Sequence, residues 1–428
     1  MENARGMCAD GAGNMRGENK GCGKRLQRKY PKSIYLWCTS HQLNRVIVQS
    51  SKNILIQNMM TMADKVAKFF YNSPNNQKVL TDIVLNDPNK TAREKDKLKL
   101  MCRTRWVERH DAFETHLQLY SYVVETLTTI SQSPNYNRDA RSDSESLLRG
   151  ITDFSYIATL VLTSKIMGYL KELSEKLQKP SLDVGSAMEL VDTVQKCLQQ
   201  VREDIDRYNN RWYQEAKEMA NSVDAEEKVP RVAKRQTQRP NYQVEDAKDY
   251  YKKAVLIQFV DFLLSEMEDR FSALQCQAVK ALRLVPETFL SQHGQKISSE
   301  DFEFYLSDIE GIALEQELHS WKVFWSNKPE RPKTISETLH AVGDNFSNIV
   351  KILKIAATFP VTSCSCERSI SALKRLKTFN RSTMKEERMN GLAHLMIHRE
   401  CIINTDDVVQ QFANAKPRRL HFNSFMSR

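Results

Sequence analysis

Long apolar runs are missing from this sequence. No uninterrupted stretch approaches the roughly 18 residues a membrane span requires, and the charged, glycine-rich opening lacks the apolar segment of a secretory signal. The expectation is an intracellular protein with no membrane partner. Glycine and proline are sparse, 13 and 12 in 428 residues, while hydrophobic residues make up 41% and charged residues 27%; this describes a globular, helix-favouring chain and excludes a disordered one. Cysteines number nine, at 8, 22, 38, 102, 197, 276, 364, 366 and 401. An odd, widely scattered set without export features gives no disulfide framework, so reduced thiols are expected. Internal repeats are absent as well.

What is present is length and positive charge. A chain of this size holds two or more domains, or one compact unit with a large insertion. The net charge of +10 points to an acidic partner, nucleic acid first. The surplus is clustered. Residues 1–45 carry nine Lys/Arg against three acids, and residues 367–388 carry seven against three.

The segment KRLQRKYP predicts a short basic helix stopped by Pro31, and SIYLWC after it predicts a buried strand. A short strand over 5–9 precedes Asp10. Residues 40–72 keep helical spacing as one long or two short helices ending in an SPNN turn. Helical periodicity then dominates near 145–178, 182–220, 245–275 and 300–325. The polar stretches SQSPNYNRDARSDSES (131–146) and NSVDAEEKVPRVAKRQTQRPNYQ (221–243) read as exposed loops. Near the end, an apolar helix breaks at Pro360, a Ser/Thr/Cys-rich turn leads to a helix with Ile370, Leu373 and Leu376, and a final helix carries Met389, Leu392, Leu395 and Met396 along one side.

Three motifs could carry chemistry. Asp10 in DGAGNMRG, at a strand end beside flexible glycines, suits a hard cation such as magnesium; a turn aspartate has the same signature. The nearby GENKGCGKR lacks the spacing and hydroxyl residue of a phosphate-binding loop. Cys38 and His41 in WCTSHQLN have a zinc-like spacing but no companion pair, which favours a buried cysteine beside a hydrogen-bonded or phosphate-facing histidine. Glu367 in TSCSCERSISALKRLK falls in a first helical turn, where a carboxylate either complements the helix dipole or faces a metal, with Arg368, Lys374, Arg375 and Lys377 in reach of a nucleic-acid backbone. Two weaker signals are the Arg105–Trp106 pair in CRTRWVERHD, suited to base stacking with phosphate contact or to core packing, and His394 and His398, four apart without a third ligand.

In order, DGAGNMRG, YLWCTSHQLN, CRTRWVERHDA, a long helical stretch and TSCSCERSISALKRLKTFNRSTMKEERMNGLAHLMIHR resemble the hAT superfamily of DNA transposases, specifically a transposon-derived branch that includes the zinc finger MYM-type proteins. The resemblance runs from about residue 6 to 405. It implies an α/β, mostly helical fold: a ribonuclease H-like core, incomplete at its N-terminus, interrupted by a large all-α insertion and followed by a C-terminal hAT dimerisation region. Residues 1–106 are the first part of that core, 107–340 the insertion, 341–405 the dimerisation region completing the core, and 406–428 a basic tail.

The resemblance also implies chemistry. Asp10 matches the second aspartate and Glu367 the glutamate of an Asp-Asp-Glu triad that holds Mg2+ or Mn2+. Cys38, His41, Arg105 and Trp106 match positions near the cut DNA strand, with Trp106 stacking on a displaced base. The first triad aspartate is not found ahead of Asp10, which predicts impaired catalysis in the sequence as written. The expected protein is nuclear, transposase-derived, self-associating as a homodimer or higher oligomer through Met389, Leu392, Leu395 and Met396, and DNA-binding. The alternatives are an active transposase whose sequence continues upstream and a domesticated regulatory scaffold.

Overall fold

In the computed structural model, the described residues are 3–17, 20–50, 52–88, 95–100, 106–178, 184–230, 242, 244–271, 280–291, 297–309, 311–343, 345–378 and 383–415. They are predominantly helical and divide into two units, residues 1–363 and 364–428. No helix among them is long and apolar enough to cross a membrane.

Strand β1 (Gly6–Ala9) pairs in parallel with β2 (Ile34–Trp37), Gly6 opposite Ile34 and Ala9 opposite Trp37. Parallel neighbours need a crossover, and the basic helix Cys22–Lys29 supplies it, as its sequence predicts. Gly23 is what lets that helix lie close to β2: a Cβ there would come within 2.4 Å of the Tyr35 ring. The strands are pinned at their leading ends by one carboxylate. Asp308 accepts bonds from Arg5 Nη2 (2.5 Å) and Nε (3.2 Å) and from Lys32 Nζ (3.0 Å). Among the described residues the sheet has these two strands only, an open pair in place of the mixed, helix-flanked sheet expected of a ribonuclease H-like core.

The helical part is organised around Phe154–Leu177, a 24-residue helix apolar on nearly every side and packed against helices Ile54–Tyr71, Trp106–Gln118, Val184–Glu203 and Ile205–Asn221. A helix without a polar face has no stable place at a surface. Asp153 starts it, its side chain accepting the Ser155 amide at 2.9 Å. Asn53 serves two helices at once. Its carbonyl oxygen caps Ile54–Tyr71 through the amides of Leu55 (2.9 Å) and Ile56 (3.4 Å), and its amide nitrogen donates to the Ala254 carbonyl (2.6 Å) in the π-helical turn Lys252–Ile257. The widened turn thus has an outside donor for its backbone. Glu317 plays a similar part for helix Ser347–Ala357, accepting the amides of Asn348 (3.0 Å) and Ile349 (3.1 Å).

One sequence expectation is corrected and two are extended. SPNN does follow the end of Ile54–Tyr71, and it also begins Pro74–Leu85, with Ser73 capping the Asn76 amide and proline in the first turn, where its missing N–H costs nothing. Residues 138–146 are not a loop but part of helix Arg138–Ile151, capped by Asn137. Its buried stripe is Ser144, Leu147 and Ile151, and the Ser144 hydroxyl satisfies the Leu127 carbonyl at 2.8 Å, so a serine fills a position where periodicity looks for an apolar residue. The stretch read as a basic tail opens with helix Thr405–Asn414, capped by Asn404.

The C-terminal unit holds helices Cys364–Leu376, Glu386–Ile397 and Thr405–Asn414, the first two packed together. Neither of the last two buries a single residue.

Candidate functional site

Asp10 directly follows β1. Its carboxylate accepts the Ala12 amide at 3.3 Å, an aspartate turn of the ordinary kind. Its carbonyl accepts the Tyr35 hydroxyl at 2.5 Å, so β2 holds the loop in place. Arg45 approaches from helix Thr39–Ser50, its guanidinium within 3.0 Å of where a Cβ on Gly11 would sit. Among the described residues of 1–363, Asp10 joins no group of three or more His, Cys, Asp or Glu side chains able to share an ion. A hard divalent cation needs several oxygen ligands. One carboxylate does not provide them, and no metal-dependent step is derived from Asp10.

Cys38 is 1% exposed. Its sulfur accepts the Ser363 amide at 3.3 Å and lies 3.5 Å from the Thr362 hydroxyl, while the neighbouring Thr39 bonds the Val361 carbonyl through both amide and hydroxyl. This is the buried-cysteine reading of the motif. His41 is half-buried in the first turn of Thr39–Ser50. Arg105 lies outside the described residues; Trp106 opens helix Trp106–Gln118, with its side chain outside them. Within the C-terminal unit, Glu367 stands exposed in the first turn of Cys364–Leu376, and Arg368, Lys374, Arg375 and Lys377 are exposed as well.

A second constellation lies outside the motifs read from the sequence. His110, Asp111 and Glu114, on one helix, bring a ring nitrogen and two carboxylate oxygens within 4.8 Å of one another. Helical geometry places these positions within about 100° of arc, so a His-Asp-x-x-Glu spacing is its signal in the chain, overshadowed by the adjacent Arg-Trp pair. Lys171, from Phe154–Leu177, bridges Asp111 (3.1 Å) and Glu114 (3.2 Å), and Lys99 bonds the other Asp111 oxygen at 2.8 Å. Burial pushes the Asp111 carboxyl up, but the two lysines more than offset this and hold it below the usual range. Burial, and then Lys171, push the His110 imidazole down, so it is neutral at physiological pH.

The C-terminal unit presents apolar side chains outward. Leu395 is 53% exposed, Ile370, Ile397, Val408, Val409 and Phe412 are exposed too, and Ile402 is 99% exposed. Met389, Leu392 and Met396 are partly covered. Residues 314–401 match the hAT family C-terminal dimerisation region. Over most of its length the chain is also similar to the 52 kDa repressor of the inhibitor of the protein kinase from Homo sapiens, 29% identical over 407 residues that make up 93% of this chain and 53% of the relative. The Mus musculus protein of the same name is 29% identical over 93% of this chain and 54% of its own length. The chain therefore spans about half the length of the curated relatives it matches. Homology links it to hAT dimerisation proteins at low identity, and the helical C-terminal unit overlaps the matched region.

Proposed function

We propose that this chain is a transposase-derived protein whose C-terminal region mediates self-association and whose basic helices bind DNA in the nucleus. The observation that carries the reading is the coincidence of the matched dimerisation region with helix Glu386–Ile397, which has apolar residues at 389, 392, 395 and 396 and buries none of them. A 12-residue helix is marginal alone in water and takes its stability from packing an apolar face; Cys364–Leu376 covers part of that face, and a second copy covers the rest. Sedimentation equilibrium at micromolar concentration is expected to give a species of twice 49.6 kDa, and a single 49.6 kDa species would overturn the proposal.

For DNA, the support is electrostatic. Lys24, Arg25, Arg28 and Lys29 are on the crossover helix, and Arg368, Lys374, Arg375 and Lys377 are on or just after another. Four phosphate contacts give a slope of log K against log salt of about −3.6 on duplex DNA; binding that is flat between about 50 and 200 mM salt, concentrations at which counterion release is measurable, would remove DNA from the reading. The ribonuclease H-like core and the roles of Asp10, Glu367, Cys38, His41, Arg105 and Trp106 in strand cleavage remain proposals from resemblance. A regulatory scaffold is the second reading, favoured because the relatives carry the name of a repressor.

A further inference from the structure

We infer that His110, Asp111 and Glu114 form a binding site for a divalent transition metal of the zinc class, in which the Lys171 ammonium is the stand-in cation of the metal-free chain. The three side chains project from one arc of helix Trp106–Gln118 toward Phe154–Leu177, and their ligand atoms lie within 4.8 Å of one another. A cation already sits where an ion would: Lys171 Nζ is 3.1 Å from Asp111 Oδ1 and 3.2 Å from Glu114 Oε2.

Ion pairing accounts for the carboxylates and the lysines but not for the histidine. His110 is 7% exposed, and its Nδ1 is buried without a hydrogen-bond partner among the described residues. An unpaired buried nitrogen is costly, and natural structures retain such groups where a ligand or ion completes them. Gly168 lies against the ring, where a Cβ would stand in ordinary contact with Nε2 at 3.8 Å.

The donor set selects the metal. One imidazole nitrogen and two carboxylate oxygens, without sulfur, disfavour calcium and magnesium, which prefer all-oxygen shells, and suit zinc, cobalt or nickel. Charge is compatible. Lys99 and Lys171 face Asp111 and Glu114, Glu175 adds negative charge near His110, and an incoming divalent ion displaces the Lys171 ammonium rather than entering beside it. Lys171 is partly exposed and reaches solvent by rotating its chain.

Co2+ added to the full-length protein, followed by visible absorption and equilibrium dialysis, tests this. One equivalent is expected to bind with nitrogen and oxygen ligation. His110→Ala and the conservative His110→Asn should each weaken it by at least about tenfold, the scale on which even outer-shell losses are felt. Lys171→Met should tighten it by roughly fivefold, because the competing ammonium is gone. A purely structural ion network predicts the reverse for Lys171→Met. The proposal is overturned if both His110 variants bind Co2+ as tightly as the wild type, if Lys171→Met weakens binding, or if the bound Co2+ shows the intense near-ultraviolet band of thiolate ligation, which would place it on cysteines.

Discussion

Between pH 6.5 and about 4 the protein is expected to lose about 3 kcal/mol of folding stability through one side chain, His116. His116 is fully buried in the contact between Trp106–Gln118 and the central helix, and its Nε2 lies 2.8 Å from the Tyr156 hydroxyl, with the rings edge to face at 5.9 Å. Burial pushes its pKa down to about 4 from an ordinary 6.5. Above pH 6.5 the imidazole is neutral in both folded and unfolded chains, and the full stability is present. As pH falls, the unfolded chain takes up a proton that the folded one refuses, so stability drops until the folded imidazole itself titrates.

His110 acts in the same direction, whereas Asp111 and Asp308, whose carboxyls are held below their ordinary values by lysine and arginine partners, keep their contributions until more acid pH. Urea unfolding at a series of pH values reads the effect. His116→Asn should be less stable at pH 7 yet much flatter between pH 6.5 and 4; if its slope equals that of the wild type, the assignment to His116 is wrong.

The second large effect concerns assembly. Leu392→Asp combined with Leu395→Asp is expected to raise the dimer dissociation constant by about a thousandfold, on the scale of two leucines each worth about 1.5–3 kcal/mol when buried. Leu395 is 53% exposed and Leu392 is partly covered by the packing of Glu386–Ile397 on Cys364–Leu376, so the single variant Leu395→Asp serves as the control that leaves the contacts within the chain in place. For Leu395→Asp circular dichroism should be unchanged, and for both variants sedimentation should move toward the 49.6 kDa species. Variants that sediment like the wild type would shift the interface away from this helix.

How much of this was legible in the sequence depended on where each residue's partner lies. The strand Ile34–Trp37 and the basic helix before it could be read because aromatic and β-branched residues, a lysine-arginine run and Pro31 act locally. Apolar periodicity alone marked helix over 40–72 and 145–178, within which Ile54–Tyr71 and Phe154–Leu177 lie. Asp308 could not be read as the clasp of a sheet 303 residues away, since nothing near it in the chain marks it. Arg138–Ile151 was concealed by Ser144, whose burial depends on a carbonyl of another helix. For the site residues the same rule held: Cys38 was legible as a buried thiol, while the company of His110 was visible only in part, because Lys171 and Gly168 come from a different helix.

The clasp at Asp308 has a consequence for synthesis. Arg5 leaves the ribosome 303 residues before its partner, and the Cys38 and Thr39 partners at 361–363 come later still. At about 5–20 residues per second, the β1–β2 pair waits roughly 15–60 s without the clasp at its leading ends. For that interval the nascent N-terminus is a strand pair without its lock.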